Sequence, residues 1–257
     1  MNIALIGYGK MGKMIEQAAV AQGHSITVIV DPFAANTSNS VQIAKTIADA
    51  DFNIVDAAIE FTQPDTAAAN IFALAERKIP AVVGTTGWHD RIGEITAAVG
   101  KAGSSLLWAS NFSIGVNMFY RIAWYAAELA NIFPEYDIGG FEAHHNKKID
   151  SPSGTAKVLA EGALSRIDRK KKIVWETMNR KPEAEELHFP SLRMGSVPGT
   201  HSLFFDSGAD TIEITHTARS REGFASGAVR AAEWLCLNNR RGVFTVDDMM
   251  NELFSKT

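Results

Sequence analysis

The sequence predicts an α/β protein: a parallel sheet wound by helices on both faces, and a second, smaller unit built on a mixed sheet. Three observations carry this reading. Over the first 112 residues short apolar runs alternate with helical patterns, which is how a parallel sheet covered on both sides is assembled. From residue 114 one long helical pattern gives way to mostly strand-like segments. The tail then returns to helix.

Residues 2–6 are an unbroken apolar run after Asn2 and read as a buried strand. A helix follows over about 11–22 and stops at Gly23, a residue suited to ending helices. Residues 25–30 give a second strand, closed by Asp31 and Pro32, and residues 54–60 a third. The next helix spans 64–78; Pro64 falls in its first turn, where a missing N–H costs nothing. Strands at 81–83 and 105–108 are separated by a helical stretch near 91–100.

Beyond this, Met118, Ile122, Tyr125, Leu129 and Phe133 recur at helical spacing on one helix that ends before Pro134. Its aromatic residues Phe119, Trp124 and Tyr125 are expected in the core. Strands are expected at 136–143, 173–178, 192–197, 202–206 and 211–216, with a helix at 155–166. In the last strand Ile212 and Ile214 alternate with Thr211, Glu213 and Thr215, so one sheet face is the more polar. A helix at 224–237 stops near Asn238 and Asn239, and Thr245 to Asp248 resembles a capping box that starts a final helix to residue 254. Pattern alone leaves open which unit this tail joins.

Composition narrows the function classes. The chain has 257 residues, 46% hydrophobic and 21% charged, within the ordinary globular range. Its 25 Lys and Arg against 29 Asp and Glu leave a formal charge of −4, so there is no bulk basic field for nucleic acid or an anionic membrane. Cys236 is the single cysteine. It allows no internal disulfide, suits a reducing cytoplasm, and is expected to be a small buried residue on its helix. The N-terminus lacks the charged and apolar regions of a secretory signal. The apolar stretch 115–133 is interrupted by Asn117, Arg121 and Glu128, which argues against a membrane span. A cytoplasmic protein with no nucleic-acid or membrane partner is expected.

Gly7-Tyr8-Gly9-Lys10-Met11-Gly12 is a G-x-G-x-x-G string placed after a strand and opening a helix. Glycines there allow a tight turn and let backbone N–H groups approach a pyrophosphate at the positive helix end. Asp31 stands nineteen residues beyond Gly12, at the end of the second strand, where a carboxylate can bind ribose hydroxyls. The combination predicts a dinucleotide site. Pro32 follows the acid, so no adjacent Arg offsets the repulsion between Asp31 and a 2′-phosphate; this leans the expectation to NADH. Lys10 and Lys13 keep NADPH open. Gly84-Thr85-Thr86-Gly87 and Ala109-Ser110-Asn111-Phe112 follow two further strands. Each alone reads as a polar loop. Together with the glycine loop they are expected to line the nicotinamide end.

The densest chemistry lies between Glu142 and Ala156: Glu-Ala-His-His-Asn-Lys-Lys-Ile-Asp-Ser-Pro-Ser-Gly-Thr-Ala. His144, His145, Lys147 and Lys148 fall within five residues at a strand end. Ser153, Gly154 and Thr155 open a helix whose unpaired N–H groups, with the two hydroxyls, form a carboxylate receptor. Cations beside it suit a dianionic substrate, and a His or Lys there can deliver a proton. A metal site is not expected: adjacent histidines on a strand point to opposite faces, and a third ligand is missing. The run Arg169-Lys170-Lys171-Lys172 is read as a solvated turn without function.

The segment from Glu142 through His144, His145, Lys148 and Asp150 to Pro152-Ser153-Gly154-Thr155-Ala156 resembles the signature of the dihydrodipicolinate reductase (4-hydroxy-tetrahydrodipicolinate reductase) family. The likeness extends over nearly the whole chain, through the glycine loop, Phe61-Thr62, Gly84 to Gly87, Ser110 to Phe112, and Arg221 with Phe224 to Ala228. It implies a Rossmann-like dinucleotide-binding domain of residues 1–112 and 221–257, with an inserted substrate-binding and oligomerisation domain of 113–220. It implies an NAD(P)H-dependent reduction in the diaminopimelate route of lysine biosynthesis, hinge closure over a small dicarboxylate substrate, and a homotetramer associated through the central sheets. By position, His144 is then the catalytic acid/base and Lys148 the proton donor, and His145, Ser153, Gly154 and Thr155 hold the substrate carboxylates. Gly7, Gly9, Lys10, Met11, Gly12, Asp31, Gly84, Thr85, Thr86, Ala109, Ser110, Asn111 and Phe112 hold the cofactor. Two readings from outside the family are a reductase of another amino or keto acid, and a dinucleotide sensor that binds cofactor without oxidising it.

Overall fold

The structure is a computed structural model that describes residues 1–34 and 41–255. The first segment of the chain contains β1 (Asn2–Ile6), α1 (Lys10–Ala21), β2 (Ser25–Val30), β3 (Gln42–Ala44), β4 (Ala57–Glu60), α2 (Pro64–Glu76), β5 (Ala81–Val83), α3 (Ile92–Ala102) and β6 (Ser105–Trp108). The middle segment contains α4 (Ile114–Ile132), β7 (Asp137–His144), α5 (Gly154–Leu164), β8 (Lys172–Val174), β9 (Glu186–His188), β10 (Ser191–Arg193), β11 (Thr200–Asp206) and β12 (Thr211–Thr217). The last contains α6 (Glu222–Cys236), β13 (Gly242–Thr245) and α7 (Val246–Phe254). Two compact units result: Met1–Ser113 with Glu222–Thr257, and Ile114–Arg221. Among the described residues no helix is long and apolar enough to cross a membrane.

The first unit is a seven-stranded sheet in the order β13-β6-β5-β4-β1-β2-β3, parallel throughout. Strands buried on both faces need near-continuous apolar sequence, and Ile3 to Ile6 and Ala57 to Ile59 supply it. From β1 the chain winds one way through β2 to β3; from β4 it winds the other way through β5 and β6. The reversal lies between β1 and β4, where open α/β sheets leave a crevice for ligands. The tail joins this unit. Helix α6 packs on α1 and behind β4 to β6, and β13 extends the sheet beyond β6. Thr245 then caps α7 by a reciprocal box with Asp248.

Several local expectations need correction here. β4 begins at Ala57 rather than residue 54, because Ile54 is 62% exposed in a turn. The short strands β3 and β13 were not expected. Cys236 is half-buried rather than fully buried.

In the second unit five strands run β12-β11-β7-β9-β8, and β10 also pairs with β7. β7 is antiparallel to β11 and parallel to β9 and β10, so the sheet is mixed. Successive side chains of a strand alternate between faces. Ile138, Gly140, Glu142 and His144 therefore share one face of β7. The core there is closed by α4 and α5 with Ile138, Leu187, Phe189, Leu203 and Phe205. Gly140 leaves room for the Phe189 ring, which would lie 2.4 Å from a Cβ at that position.

The expected strands at 173–178 and 192–197 shrink to β8 and β10, and β9 appears in addition. Helix α4 forms as expected but turns the other way. Its buried residues are Val116, Asn117, Phe119, Tyr120, Ala123, Ala127 and Ala130, whereas Met118, Ile122, Tyr125, Leu129 and Phe133 are exposed. Tyr125, expected in the core, is 62% exposed. Trp124 is partly buried, stacked on Tyr120 and donating from Nε1 to the Leu159 carbonyl at 3.2 Å. Lys170, expected in a solvated run, is buried and donates to the carbonyls of Ala184 and Glu186.

Candidate active site

In the first unit, the turn after β1 is built by glycine. Gly7 has φ +91°, and a Cβ there would lie 2.2 Å from the Phe61 carbonyl oxygen. A Cβ on Gly12 would lie 2.3 Å from the Gly7 carbonyl oxygen, so α1 approaches β1 as closely as backbone permits. Gly9 is different. Open space surrounds its Cβ position, and no side chain caps the first turn of α1. The N–H groups of that turn, with Lys10 exposed beside them, are free of steric cover, which suits a pyrophosphate.

Asp31, at the end of β2, accepts from the Tyr8 N–H at 2.7 Å through Oδ2 and from the Phe33 N–H at 2.8 Å through Oδ1. The acid thus braces the glycine loop. The other candidate cofactor residues line the same edge of the sheet. Thr85, buried after β5, accepts through Oγ1 from the Thr62 N–H at 2.8 Å, and its carbonyl accepts from Trp88 Nε1 at 2.7 Å. Gly84 leaves space for the Phe61 ring, 2.0 Å from the position a Cβ would take. Thr86 and Ser110 are exposed and Asn111 half-buried; Ala109 and Phe112 are buried, so the last two can offer a ligand backbone rather than side chain. Burial pushes the Glu60 carboxyl up, against the pull of hydrogen bonds from Thr62, Thr85 and Asn70.

In the second unit, sheet register assembles the cluster. His201 of β11 and Ser191 of β10 both lie opposite Glu142, and Arg193 lies opposite His144. Glu142 is 0% exposed, His201 4% and His144 8%. Glu142 Oε1 accepts from the Ser153 N–H at 3.0 Å, the Ser191 hydroxyl at 2.7 Å and Arg193 Nη2 at 2.8 Å. Its Oε2 lies 3.1 Å from His144 Nδ1 and 3.5 Å from His201 Nε2. Neither contact is aligned as a hydrogen bond, but both are within range for charge attraction. Burial alone would raise the Glu142 carboxyl; the close approach of His144 and His201 and the bonds from Ser153 and Arg193 outweigh it and hold the group far below the usual carboxylate range.

Ser153 is the N-cap of α5. Its hydroxyl accepts from the Ala156 N–H at 3.1 Å and lies 3.2 Å from His201 Nε2. Gly154 is exposed, with nothing within 4 Å of its Cβ position, and Thr155 is half-buried beside it. Lys148 pairs with Asp150 at 2.8 Å. His144 turns inward and His145 is less buried. Burial pulls the His201 imidazole down, against the pull of Glu142. Glu142, His144 and His201 also bring one ligand atom each to within 4.8 Å of one another. Arg193 on the same carboxylate and Lys148 nearby set up an electrostatic field that disfavours a further cation there.

The structure therefore gathers His144, Lys148, Ser153, Gly154 and Thr155 at one end of the second unit, and all the candidate cofactor residues along one edge of the first. Sequence reasoning missed Arg193, His201 and Gly199, and gave Glu142 no role. For Glu142 the signal was present: a residue two before His144 on a strand shares its face.

A glycine turn at the strand ends of a parallel sheet, together with a buried His–Glu cluster and a helix start in a second unit, is the equipment of a pyridine-nucleotide-dependent oxidoreductase. Comparisons carry the assignment further. The family description "Dihydrodipicolinate reductase, N-terminus" matches residues 1–112, and "Dihydrodipicolinate reductase, C-terminus" matches residues 115–250. The 4-hydroxy-tetrahydrodipicolinate reductase of Christiangramia forsetii is 40% identical over 256 residues, covering 99% of each chain. That of Archaeoglobus fulgidus is 35% identical over 266 residues, covering 97% of this chain and 100% of the relative. In fold, the chain is similar to a dipicolinate-bound dihydrodipicolinate reductase from Paenisporosarcina sp. TG-14, with a TM-score of 0.78 at 18% identity, covering 95% of this chain and 97% of that one. The chain belongs to the dihydrodipicolinate reductase family.

Proposed function

We propose that the cluster at the end of β7 and the start of α5 binds and protonates the substrate of the family's reaction, the NAD(P)H-dependent reduction of 4-hydroxy-tetrahydrodipicolinate to tetrahydrodipicolinate in the diaminopimelate route of lysine biosynthesis. The observation that carries this is the convergence of His144 and the α5 cap Ser153 on one buried, ionised Glu142. His145, Ser153, Gly154 and Thr155 hold the carboxylates, using the first-turn N–H groups of α5 and the positive end of its dipole. A reduced nicotinamide, when bound by the glycine loop, supplies hydride to C4 of the conjugated imine left by loss of water. His144 or Lys148 then gives a proton to the electron-rich enamine that results, and the surrounding cations stabilise the anionic charge of the substrate as it reacts.

In this reading residues 1–112 and 221–257 form the dinucleotide-binding domain, and 113–220 the substrate-binding and oligomerisation domain. A cytoplasmic site of action accords with the lone Cys236. NADH is the preferred cofactor, because Asp31 is followed by Pro32 rather than by a cation. The test is a coupled assay in which a synthase generates the unstable substrate from pyruvate and aspartate semialdehyde. It is run with each cofactor on the wild type and on Asp31→Ala. Substrate-dependent oxidation, faster with NADH, is expected from the wild type; its absence with both cofactors overturns the reading. In Asp31→Ala the loop loses a brace, so use of both cofactors weakens, but the NADPH to NADH ratio rises about tenfold as one like charge near a 2′-phosphate is removed. An unchanged ratio removes Asp31 from cofactor choice.

The homotetramer is supported by the sheet face opposite α4 and α5. It carries Phe141 stacked on Phe204 and a polar ladder in which Ser202 bonds Thr215 at 2.7 Å. Among the described residues of this unit, no helix covers it. Sedimentation equilibrium is expected to give four times the 27.9 kDa chain mass; a monomer at micromolar concentration contradicts this.

A further inference from the structure

We propose that Glu142 is the positioning residue for His144: one carboxylate oxygen is pinned by the scaffold so that the other holds the imidazole by Nδ1 and leaves Nε2 as the proton-transferring nitrogen. The proposal rests on the reading of His144 as the group that moves the proton.

The two oxygens of Glu142 have separate work. Oε1 takes three donors from three places, the Ser153 N–H, the Ser191 hydroxyl and the Arg193 guanidinium. The side chain is thereby fixed without any help from His144. Oε2 is buried and has no aligned hydrogen bond, and it faces Nδ1 of His144 and Nε2 of His201. A buried carboxylate oxygen left in that state is costly unless a charge answers it, and a proton on Nδ1 answers it. The alignment of such bonds commonly tightens only when substrate is bound.

The far side of the ring is equally defined. A Cβ at residue 199 would lie 2.9 Å from His144 Nε2, and Gly199 has φ +151°, so glycine keeps this nitrogen clear. His201 meets the His144 ring edge-on, with centroids 5.0 Å apart and planes at 74°. Carboxylate, neighbouring imidazole and glycine together select one orientation of the ring.

The charges around His144 show why an anion is needed. Arg193 from β10 sits on the far oxygen of Glu142, Lys148 and Asp150 pair on the loop after β7, and His201 from β11 lies opposite His216 of β12. Without Glu142, Arg193 and the Lys148–Asp150 pair would leave a net positive set of groups around this end of the sheet. With it, the ring can carry a proton among groups that also recruit a dianion. An orienting acceptor behind a proton-transferring histidine is a recurrent device for fixing tautomer and direction.

Glu142→Gln separates this role from a structural one. The amide keeps an acceptor for Ser153, Ser191 and Arg193 and alters the atom facing His144. Expected are a roughly 10²–10⁴-fold fall in kcat with KM and cofactor affinity within about threefold, a split that a loss of fold would not give. If Glu142→Gln folds and keeps wild-type kcat while His144→Asn is inactive, the positioning role is overturned and the reading of His144 stands. If His144→Asn keeps its turnover, both fall.

A wild-type measurement holds even if the variant does not fold. In the 15N–1H spectrum of the full enzyme, the His144 signal, assigned by its loss in His144→Asn, is expected to show a slowly exchanging proton on Nδ1. A bare Nδ1 with the proton on Nε2 at neutral pH overturns the proposal.

Discussion

Replacing His144 by Asn lowers kcat by roughly 10²–10⁴-fold, the usual worth of a positioned proton donor, while NADH affinity changes by less than about twofold. The substitution is chosen for size. The ring is buried between Glu142, His201 and Gly199, and Asn fills part of that space with a group that cannot donate a proton at neutral pH. Lys148→Ala should produce a loss of the same order. Lys148→Arg should not restore it, since a guanidinium holds its proton too tightly to give it up. If both groups serve one proton transfer, the double variant is little worse than the worse single one, because effects within a working unit are not additive. The measurement is steady-state kinetics with a separate fluorescence titration of NADH. Wild-type turnover in both single variants excludes the cluster from the chemistry.

The second large effect is expected at the other site. Gly7→Ala places a methyl group 2.2 Å from the Phe61 carbonyl oxygen, on a residue whose φ of +91° already excludes most side chains. The two nearest atoms, the Phe61 carbonyl oxygen and carbon, are backbone, so the turn itself has to move. A cost of about 2–4 kcal/mol is expected, with a fall in melting temperature of roughly 5–12 °C for a chain of this size. NADH binding should weaken at least tenfold. Gly9→Ala is the informative partner. Its Cβ meets nothing within 4 Å, so stability is retained, while the methyl enters the space proposed for the pyrophosphate and affinity drops. Calorimetry and a binding titration on the two variants distinguish these outcomes; equal melting losses would mean that the two glycines do not differ as the geometry requires.

Much of this architecture was legible in the amino-acid order because the strands of the first unit are buried on both faces and so are apolar without interruption. Ile3 to Ile6 cannot be anything else. Strands β3, β9 and β13 were illegible for a physical reason: three or four residues that owe their conformation to a neighbour carry no period of their own. Helix α4 shows a different limit. One face is Val116, Phe119, Tyr120, Ala123 and Ala127, and the other is Met118, Ile122, Tyr125 and Leu129. Both obey helical spacing, and the alanine-rich side, which looks the weaker, is the one that lets α5 pack closely. The candidate site was readable where it is continuous in sequence, from His144 to Thr155. Arg193 and His201 arrive from strands fifty residues further on, and only sheet register brings them to Glu142.

The placement of α6 has a consequence for how the molecule comes into being. During synthesis the stretch Ile114–Arg221 leaves the ribosome before Glu222–Cys236, so the later-numbered unit can be finished while the earlier one still lacks the helix that lies against α1 and the strand that closes its β6 margin. A nascent chain arrested near residue 221 would expose that unpaired margin and bare apolar flank to chaperones. Completion of the first unit is thus a later event of translation than the making of its glycine loop.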